Sequence, residues 1–418
     1  MNPHPHAFTP YQKFVVAVLS FLQFTVILDF MILSPLGAVL MPLLKITPSQ
    51  FGLVVSVYAF SAGSAGLLTA GFADRFDRKK LLLFFYVGFV FGTFLCAIAN
   101  TYPLLLMASM VTGLFGGVIG SIVFAIITDL FPFEKRGRVM GFVQTAFAGS
   151  QVLGIPLGLF LCNRWGWHMP FFMIVLVSAA VGVIIWRYLQ PIDSHLKLYD
   201  ADRKALHHLI QTVSTPKYLR AFATTALLST GGFMLMPFGS AFSVHNLGIS
   251  VEKLPLLYMI TGVCTIFTGP LVGKLSDRFG KFNTFIFGSV LSCIMVTIYT
   301  NLGTTPMATV ILVSAIMFVG VFSRMIPAQA LMSAIPAPSS RGSFMSVNAS
   351  VQQISGGFAS VLAGFIVVQG AGGHLEHFGD LGHVVVLAIS MAGVLMYFIH
   401  RSIPETGSSP AKIGSGAE

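Results

Sequence analysis

The chain contains about twelve apolar segments, each close to the length of a membrane-spanning helix. A helix needs roughly 20 apolar residues to cross the hydrocarbon core of a bilayer. Only 9% of the 418 residues are charged, against about a quarter in soluble domains, so a water-soluble fold is excluded. The sequence therefore predicts an all-α membrane protein with twelve transmembrane helices. The predicted segments, numbered 1 to 12, cover residues 12–41, 50–72, 81–99, 103–128, 139–161, 168–189, 219–244, 254–274, 284–303, 307–331, 343–368 and 384–401.

Lysine and arginine are distributed unevenly between the loops. When the loops are assigned alternately to the two sides of a membrane, 20 of the 24 lysines and arginines fall on the side of both termini and three on the other, and Arg324 remains inside segment 10. Basic loops stay in the cytoplasm, so the pattern predicts a multi-pass protein of the inner (plasma) membrane with both termini cytoplasmic. It also accounts for the net charge of +10 without a nucleic-acid partner.

Short motifs recur in the two halves of the chain. An Asp-Arg pair beginning at Asp74 follows segment 2, and a second pair beginning at Asp277 follows segment 8, 203 residues later (277 − 74). An Arg-Gly pair at Arg136 is matched in the same way by one at Arg341. Two matches at nearly one offset indicate a duplicated six-helix unit, as in many secondary transporters. We predict an N-terminal six-helix bundle over 1–189, a cytoplasmic linker with an amphipathic helix over 190–218, a C-terminal six-helix bundle over 219–401 and a disordered cytoplasmic tail over 402–418.

The loop after segment 2 resembles the signature G-x-x-x-D-R-x-G-R-[RK] of the major facilitator superfamily, and the resemblance covers essentially the whole chain. Ala70 departs from it at the first glycine position, and Asp77, which tolerates a left-handed turn, departs at the second. The resemblance implies two pseudo-symmetric six-helix bundles and a cytoplasmic gate, in which Asp74 faces the start of segment 11 and Asp277 the start of segment 5. The alternative is that these loops are only basic anchors of orientation. The implied gate residues are Gly71, Asp74, Arg75, Arg78, Gly273, Asp277 and Arg278.

Segment 5 carries a motif that is similar to the antiporter motif of the superfamily, with Ile155 inserted into the usual glycine-proline pair. Small residues let helices approach closely, and proline bends a helix. We expect this segment to pack on segment 8, which offers Gly262, Gly269 and Gly273, and to seal the outer half of the pore. Generic small-residue packing is the alternative. The residues of the motif are Gly149, Gly154, Pro156 and Gly158.

Asp29 and Arg324 are the only charged residues deep inside the apolar segments. A charge at the centre of a spanning helix costs roughly 2.5–3.5 kcal/mol, which favours a functional role. At ~1.5 Å per helical residue both lie near the membrane midplane, so we expect them to face each other across a central cavity. A dry cavity favours the neutral form of an acid and a nearby cation favours its charged form, which is the physical basis of proton coupling. The alternative is a fixed structural ion pair between the halves.

The resemblance adds detail to this cavity. It implies that segments 1, 4, 7 and 10 line it, and Asp29 stands where drug:proton antiporters of the superfamily often carry an acid. Segment 4 departs from the family, because Ser109 stands where an arginine associated with proton coupling is usual. This departure leaves open weaker or absent coupling, a different partner for Asp29, or an engineered substitution. The predicted coupling and cavity residues are Asp29, Arg324, Gln23, Thr25, Ser109, Gln352 and Gln353.

The sequence contains no nucleotide-binding loop, no strong hydrolase signature and no metal-ligand cluster at membrane depth. We therefore predict no enzyme, no catalytic residue, no metal and no cofactor, with a proton gradient as the energy source. The favoured function is proton-coupled efflux of a small amphipathic compound or metabolite by alternating access, performed by a monomer in the lipid bilayer. Two alternatives remain: a uniporter or symporter of an anionic solute that uses Arg324, and a lipid translocase or sensor on the same scaffold.

Overall fold

The computed structural model describes residues 8–69, 76–193, 196, 214–336 and 341–402. These residues contain twelve helices that are long and apolar enough to cross a membrane, which confirms the predicted all-α membrane fold. We label them α1 to α12 in chain order, so that each carries the number of its predicted segment. Most of the predicted linker helix and of the predicted disordered tail lies outside the described residues. The helices are Pro10–Ile32, Pro48–Thr69, Arg78–Ala97, Tyr102–Leu130, Arg138–Trp165, Met169–Tyr188, Pro216–His245, Val251–Phe279, Lys281–Thr300, Met307–Ser333, Phe344–Ile366 and Phe378–Arg401.

The helix that follows the repeated Asp-Arg motif, α3 in the first half and α9 in the second, begins differently in the two halves. Asp77 caps α3, because its carboxylate accepts hydrogen bonds from the backbone N–H groups of Lys79 at 2.7 Å and Lys80 at 3.3 Å. Such a cap satisfies N–H groups that a helix leaves unpaired at its start. The φ angle of Asp77 is −54°, so the left-handed turn expected at this position does not form. Its counterpart Gly280, before α9, has a φ of +90° and supplies no side-chain cap.

Two of the helices are interrupted within the membrane. In α5, a π-helical turn over Ser150–Gly154 separates the α-helical stretches Phe133–Gly149 and Ile155–Trp165. Proline has no N–H to donate to the residue four positions earlier, so Pro156 weakens the regular ladder at the point where the turn widens. The sequence predicted a proline bend here but not the π turn. In α7, a 3₁₀ turn over Met236–Phe238 also interrupts the regular α-helix.

The two halves of the chain meet along α2 and α11 and along α5 and α8. Glycines allow the first pair to approach closely: a Cβ atom on Gly52 of α2 would lie 2.7 Å from the carbonyl oxygen of Ser360 in α11. On the other helix, a Cβ atom on Gly364 would lie 2.9 Å from Cα of Ser49. These contacts join the six-helix halves, α1–α6 and α7–α12, into one body.

Because twelve crossings are an even number, Pro10 and Arg401 lie on the same side of the membrane. We call this the terminal side, and the opposite one the far side. On the far side, the Ser34 hydroxyl donates to the Met236 carbonyl and the Ser240 hydroxyl donates to the Ser34 carbonyl at 3.0 Å. The halves are therefore hydrogen-bonded to each other at the far-side ends of α1 and α7. A two-stranded antiparallel ribbon, Val368–Gln369 with Leu375–Glu376, follows α11 on this side.

Candidate functional site

Asp29 is buried inside the first half of the protein. Its side chain is only 4% exposed, and its Oδ1 atom has no hydrogen-bond partner within the described parts of the chain. The hydroxyl of Thr93 in α3 lies close to the carboxyl. The other described residues that line the cavity are apolar or weakly polar, and none of them is cationic. The small cavity around Asp29 is lined by Phe30, Leu33, Val55, Tyr58, Cys96, Ser109, Thr112 and Phe171.

The residue after Asp29 shows why the carboxyl points in this direction. The Phe30 ring lies at the seam between the halves, 5.1 Å from the ring of Tyr58 in α2 and 5.8 Å from the ring of Phe233 in α7. Successive residues of an α-helix are about 100° apart around the axis, at 3.6 residues per turn. With Phe30 at the seam, Asp29 is turned further into its own half, toward α2, α3 and α4. Depth in the membrane was predicted from the sequence, but rotation about the helix axis was not.

Arg324 is buried in the same manner inside the second half. Its side chain is 2% exposed, and its guanidinium lies against α7, where a Cβ atom on Gly231 would stand 3.2 Å from Nη2. Cys293 of α9 also lies near it. Nε and Nη1 find no hydrogen-bond partner among the described residues. The contacts of Asp29 and of Arg324 thus lie in different halves, and the expectation that they face each other across one cavity is wrong for this structure.

The remaining predicted cavity residues divide into two groups. Ser109 lies in the same small cavity as Asp29, so the position where the superfamily usually has an arginine does adjoin the acid. Thr25 is 1% exposed, and its hydroxyl lies 3.0 Å from the Tyr86 hydroxyl in α3. Gln23 approaches Gly120 of α4, with 3.8 Å between its Nε2 atom and a Cβ atom placed on that glycine.

Gln352 and Gln353 form the other group, which lies in the second half. Both are half-buried in α11, at the seam between the halves. The polar contact that the structure gives this part of α11 involves Asn348, whose Oδ1 accepts a hydrogen bond of 2.6 Å from the Thr225 hydroxyl in α7. That bond holds the second half together.

The structure describes four of the seven predicted gate residues. Gly71, Asp74 and Arg75 lie outside the described residues. Arg78 donates from Nε to the Asp129 carboxylate at 3.1 Å, so it joins α3 to α4 within the first half.

In the second half, Asp277 is exposed on the last turn of α8. It makes no hydrogen bond or ion pair to the part of the chain that the structure describes. Arg278 stacks over Phe279 at 5.4 Å, and the space around Gly273 is open. Among the described residues, Asp277 makes no contact with the start of α5 of the kind that was predicted.

The glycines of α5 pack on α1 and not on α8. A Cβ atom on Gly154 would lie 2.5 Å from the Leu28 side chain, and one on Gly158 would lie 2.7 Å from Ile32. Gly149 is 3.6 Å from Phe24 by the same measure. The expectation that this glycine motif faces segment 8 is therefore wrong, because the spacing of small residues defines a helix face but not its neighbour.

The packing of α5 on α8 was nevertheless predicted correctly, and it uses the π turn. A Cβ atom on Gly262 of α8 would lie 3.1 Å from the carbonyl oxygen of Gln151. At the far-side end, Asn163 donates from Nδ2 to the Val251 carbonyl at 3.2 Å. Gly269 and Gly273 have no atom within 4 Å of a Cβ position, so they take no part in this seam.

Three polar residues of the cavity around Asp29 were not predicted from the sequence as part of the site. Tyr58, Cys96 and Thr112 belong to three different helices, and nothing in their spacing connects them to Asp29. Gly113 offered a signal that could have been used: a Cβ atom there would lie 2.3 Å from the Tyr58 carbonyl oxygen. A glycine at the middle of an apolar segment indicates a close helix contact, and this one places α2 beside α4.

The fold, with its two paired six-helix halves, is that of a two-bundle membrane transporter. The family model of the Major Facilitator Superfamily matches residues 19–360 and again 221–414. The chain belongs to this superfamily.

Relatives and solved structures agree with this assignment. The uncharacterized MFS-type transporter YceJ of Bacillus subtilis (strain 168) is 25% identical, over 92% of this chain and 95% of that protein. Multidrug resistance protein 2 of the same organism is 22% identical, over 85% of this chain and 89% of its own length. The crystal structure of a D-xylose-proton symporter has the same fold, with a TM-score of 0.76 at 18% identity, covering 96% of this chain and 100% of that one.

Proposed function

We propose that this chain is a secondary active transporter of the inner membrane, with both termini in the cytoplasm, that exports a small amphipathic compound in exchange for protons. The observation that carries proton exchange is the buried carboxyl of Asp29, which has no cation in the walls of its cavity. A buried acid without a charged partner is costly inside a membrane and marks a proton or ion pathway by default. Export is supported by the similarity to Multidrug resistance protein 2.

Proton binding at Asp29 requires a group that accepts a hydrogen bond from the neutral acid. The Thr93 hydroxyl already donates to the Phe89 carbonyl at 3.0 Å, which leaves its oxygen lone pairs available to a protonated carboxyl. Removing water from a carboxyl favours its neutral form, and admitting water favours the charged form. Movement of the halves against each other changes the hydration of this cavity, so the acid takes up a proton in one state and releases it in the other.

Alternating access also requires a closed side and an open side in each state. The hydrogen bonds of Ser34 and Ser240 join the halves on the far side, while Asp277 on the terminal side is exposed and unbonded among the described residues. This combination fits a state that is open to the terminal side. In the proposed cycle the Ser34 and Ser240 bonds break when the far side opens, and Asp277 then approaches α5.

The experiment uses purified protein in proteoliposomes with an imposed pH gradient and an amphipathic fluorescent dye, chosen by screening for ligand-induced thermal stabilisation. Asp29→Asn is expected to lose dye transport driven by the gradient and to retain dye-for-dye exchange, because exchange needs no net proton release. Asp380→Asn makes the same chemical change in the first turn of α12, where the side chain is 65% exposed, and is expected to behave as the native protein. Gradient-driven transport by Asp29→Asn at the native rate would remove Asp29 from the mechanism.

A second candidate is transport of an anionic solute, and one observation favours it. The Nε and Nη1 atoms of Arg324 lack partners within the described residues, and a guanidinium binds a carboxylate through two parallel hydrogen bonds. In that case Arg324→Gln abolishes counterflow of a small organic anion, whereas Asp29→Asn spares it. Loss of counterflow for every solute tested, with dye binding intact, would instead point to a sensor on this scaffold.

A further inference from the structure

An apolar groove of about 530 Å³ runs between α9 and α12 on the surface of the second half. Its walls include side chains that face outward from the bundle, such as Ile294 at 52% and Val394 at 59% exposure. Residues of this kind on the outside of a membrane protein contact lipid. The groove is open to the bilayer along its length, and it is not part of the cavity around Asp29.

The length of the groove matches one leaflet. Its α9 wall extends from Phe282 at the terminal side to Ile294, which corresponds to ~18 Å at ~1.5 Å per residue. Half of a hydrocarbon core of roughly 30 Å is ~15 Å. The groove therefore begins at the membrane surface and ends near the midplane, as a site for one acyl chain requires.

Basic residues stand at the surface end of the groove. Lys281, His400 and Arg401, which we call the groove mouth, are all exposed. The His400 ring stacks on Phe282 at 4.8 Å, and the Arg401 guanidinium lies 4.8 Å from the ring of Tyr397. Both aromatic residues line the groove, so the basic groups are fixed beside its opening. Basic pockets of this type next to transmembrane helices attract anionic lipid headgroups.

In the first half, carboxylates neutralise the start of the helix that corresponds to α9. There Asp77 caps α3, and Arg78 pairs with Asp129 at 3.1 Å. At the offset of the repeat, Gly280 and Lys281 occupy these positions (77 + 203 and 78 + 203). Glycine brings no carboxylate to the start of α9, and Lys281 makes no hydrogen bond to the part of the chain that the structure describes. The second half therefore presents positive charge where the first half neutralises it.

We propose that the groove binds one anionic phospholipid of the terminal-side leaflet. Its phosphate lies on the groove mouth, and one acyl chain lies along Ile286, Val290 and Val394 toward the midplane. The acid nearest to Lys281 along the chain, Asp277, lies four residues before it and beside Arg278, so it does not reverse the positive charge there. The bound lipid joins α9 to α12 and stabilises the second half.

The test compares lipid binding to the purified full chain by native mass spectrometry and by thermal unfolding. Phosphatidylglycerol is expected to bind and to raise the Tm, and phosphatidylcholine with the same acyl chains is not. Each lysine or arginine next to an anionic membrane surface contributes about fivefold in affinity, so Lys281→Gln with Arg401→Gln is expected to weaken binding about 25-fold. Far-side variants Arg164→Gln and Lys253→Gln serve as the control, since Arg164 also stacks on an aromatic ring, at 5.8 Å.

A second variant tests the acyl-chain site independently of charge. Gly393 lines the groove, and a Cβ atom there would meet no atom within 4 Å. Gly393→Phe is expected to fold, to fill the groove and to abolish the phosphatidylglycerol effect. Equal stabilisation by phosphatidylcholine would overturn the proposal in favour of non-selective surrounding lipid. Stabilisation by glycerol phosphate without acyl chains, or full lipid binding by either groove variant, would overturn it as well.

Discussion

The two halves of the protein each bury one charge, but the charges are opposite and their surroundings differ. In the first half, Asp29 shares a small cavity with Ser109 and other uncharged side chains. In the second half, the guanidinium of Arg324 is pressed against the backbone at Gly231, close to Cys293. A duplicated framework has thus been given one acidic and one basic centre that do not pair. Each half therefore carries its own buried charge, and mutation of Asp29 or of Arg324 alone separates what the two charges contribute.

The largest expected effect comes from giving the first half the cation that it lacks. Ser109→Lys places an ammonium beside Asp29, where the two can pair. Adding Asp29→Asn to this variant leaves the ammonium buried and unpaired, which is expected to lower the free energy of unfolding by roughly 3–5 kcal/mol. Thermal unfolding in detergent measures the difference, with Ser109→Met as the control for size. Equal stability of the single and double variants would mean that position 109 does not reach the acid.

The next effect tests whether the two halves share the same close helix contact. A Cβ atom on Gly92 of α3 would lie 2.7 Å from the backbone nitrogen of Thr112 in α4. In the second half, one on Gly288 of α9 would lie 2.5 Å from the carbonyl carbon of Ser323 in α10. Gly92→Ala and Gly288→Ala are each expected to cost about 1–3 kcal/mol of stability, because a backbone cannot move aside cheaply.

Two other glycines provide the control for these substitutions. Gly141 in α5 and Gly269 in α8 have no atom within 4 Å of a Cβ position. Their replacement by alanine is expected to leave the Tm unchanged or to raise it, since alanine is the better helix former. If Gly92→Ala and Gly269→Ala unfolded at the same temperature, close packing at Gly92 would not be limiting.

The loops before α3 and α9 should respond to substitution for different reasons. Asp77→Ala removes a helix cap and is expected to cost about 1 kcal/mol. Gly280→Ala is expected to cost about 1–2 kcal/mol, because its φ of +90° is unfavourable for a residue with a Cβ atom. Thermal unfolding of serine variants separates the two mechanisms. Asp77→Ser is expected to be tolerated because serine can also cap a helix, whereas Gly280→Ser is not, because serine has a Cβ atom. Tolerance at both positions would show that the loops have the same conformation in solution.

The smallest effect on stability is expected at Arg324. Its guanidinium is buried and lacks partners at two nitrogens within the described residues. Burial therefore removes water from the charge without replacing those hydrogen bonds, which lowers the free energy of unfolding. Arg324→Met is therefore expected to leave the free energy of unfolding within about 1 kcal/mol of the native value, or above it. A loss of 3 kcal/mol or more in chemical denaturation would mean that the arginine is paired.

The sequence predicted the helices better than it predicted the site. Apolar length and the absence of charge define a membrane span locally, so all twelve segments could be predicted. The placement of Ser109 beside Asp29 was implied by the resemblance to the superfamily. The helices that surround Asp29 could not be predicted, because a rotation of one residue about the axis of α1 decides whether a side chain meets only its own half or also α7, as Phe30 does. The same limit applies to the motif of α5: Gly154 was recognised as a packing residue, but it contacts Leu28 of α1.

The amino-acid sequence by itself determined that this chain lies in a membrane, how many times it crosses and which loops are repeated, because the exclusion of charge from hydrocarbon acts on each segment separately. Only the tertiary structure decided that Asp29 and Arg324 lie apart in separate halves, and that α9 and α12 leave a groove with a basic mouth. These features depend on how neighbouring helices are rotated and how closely their backbones approach. Such contacts join residues far apart in the chain, and no local pattern records them.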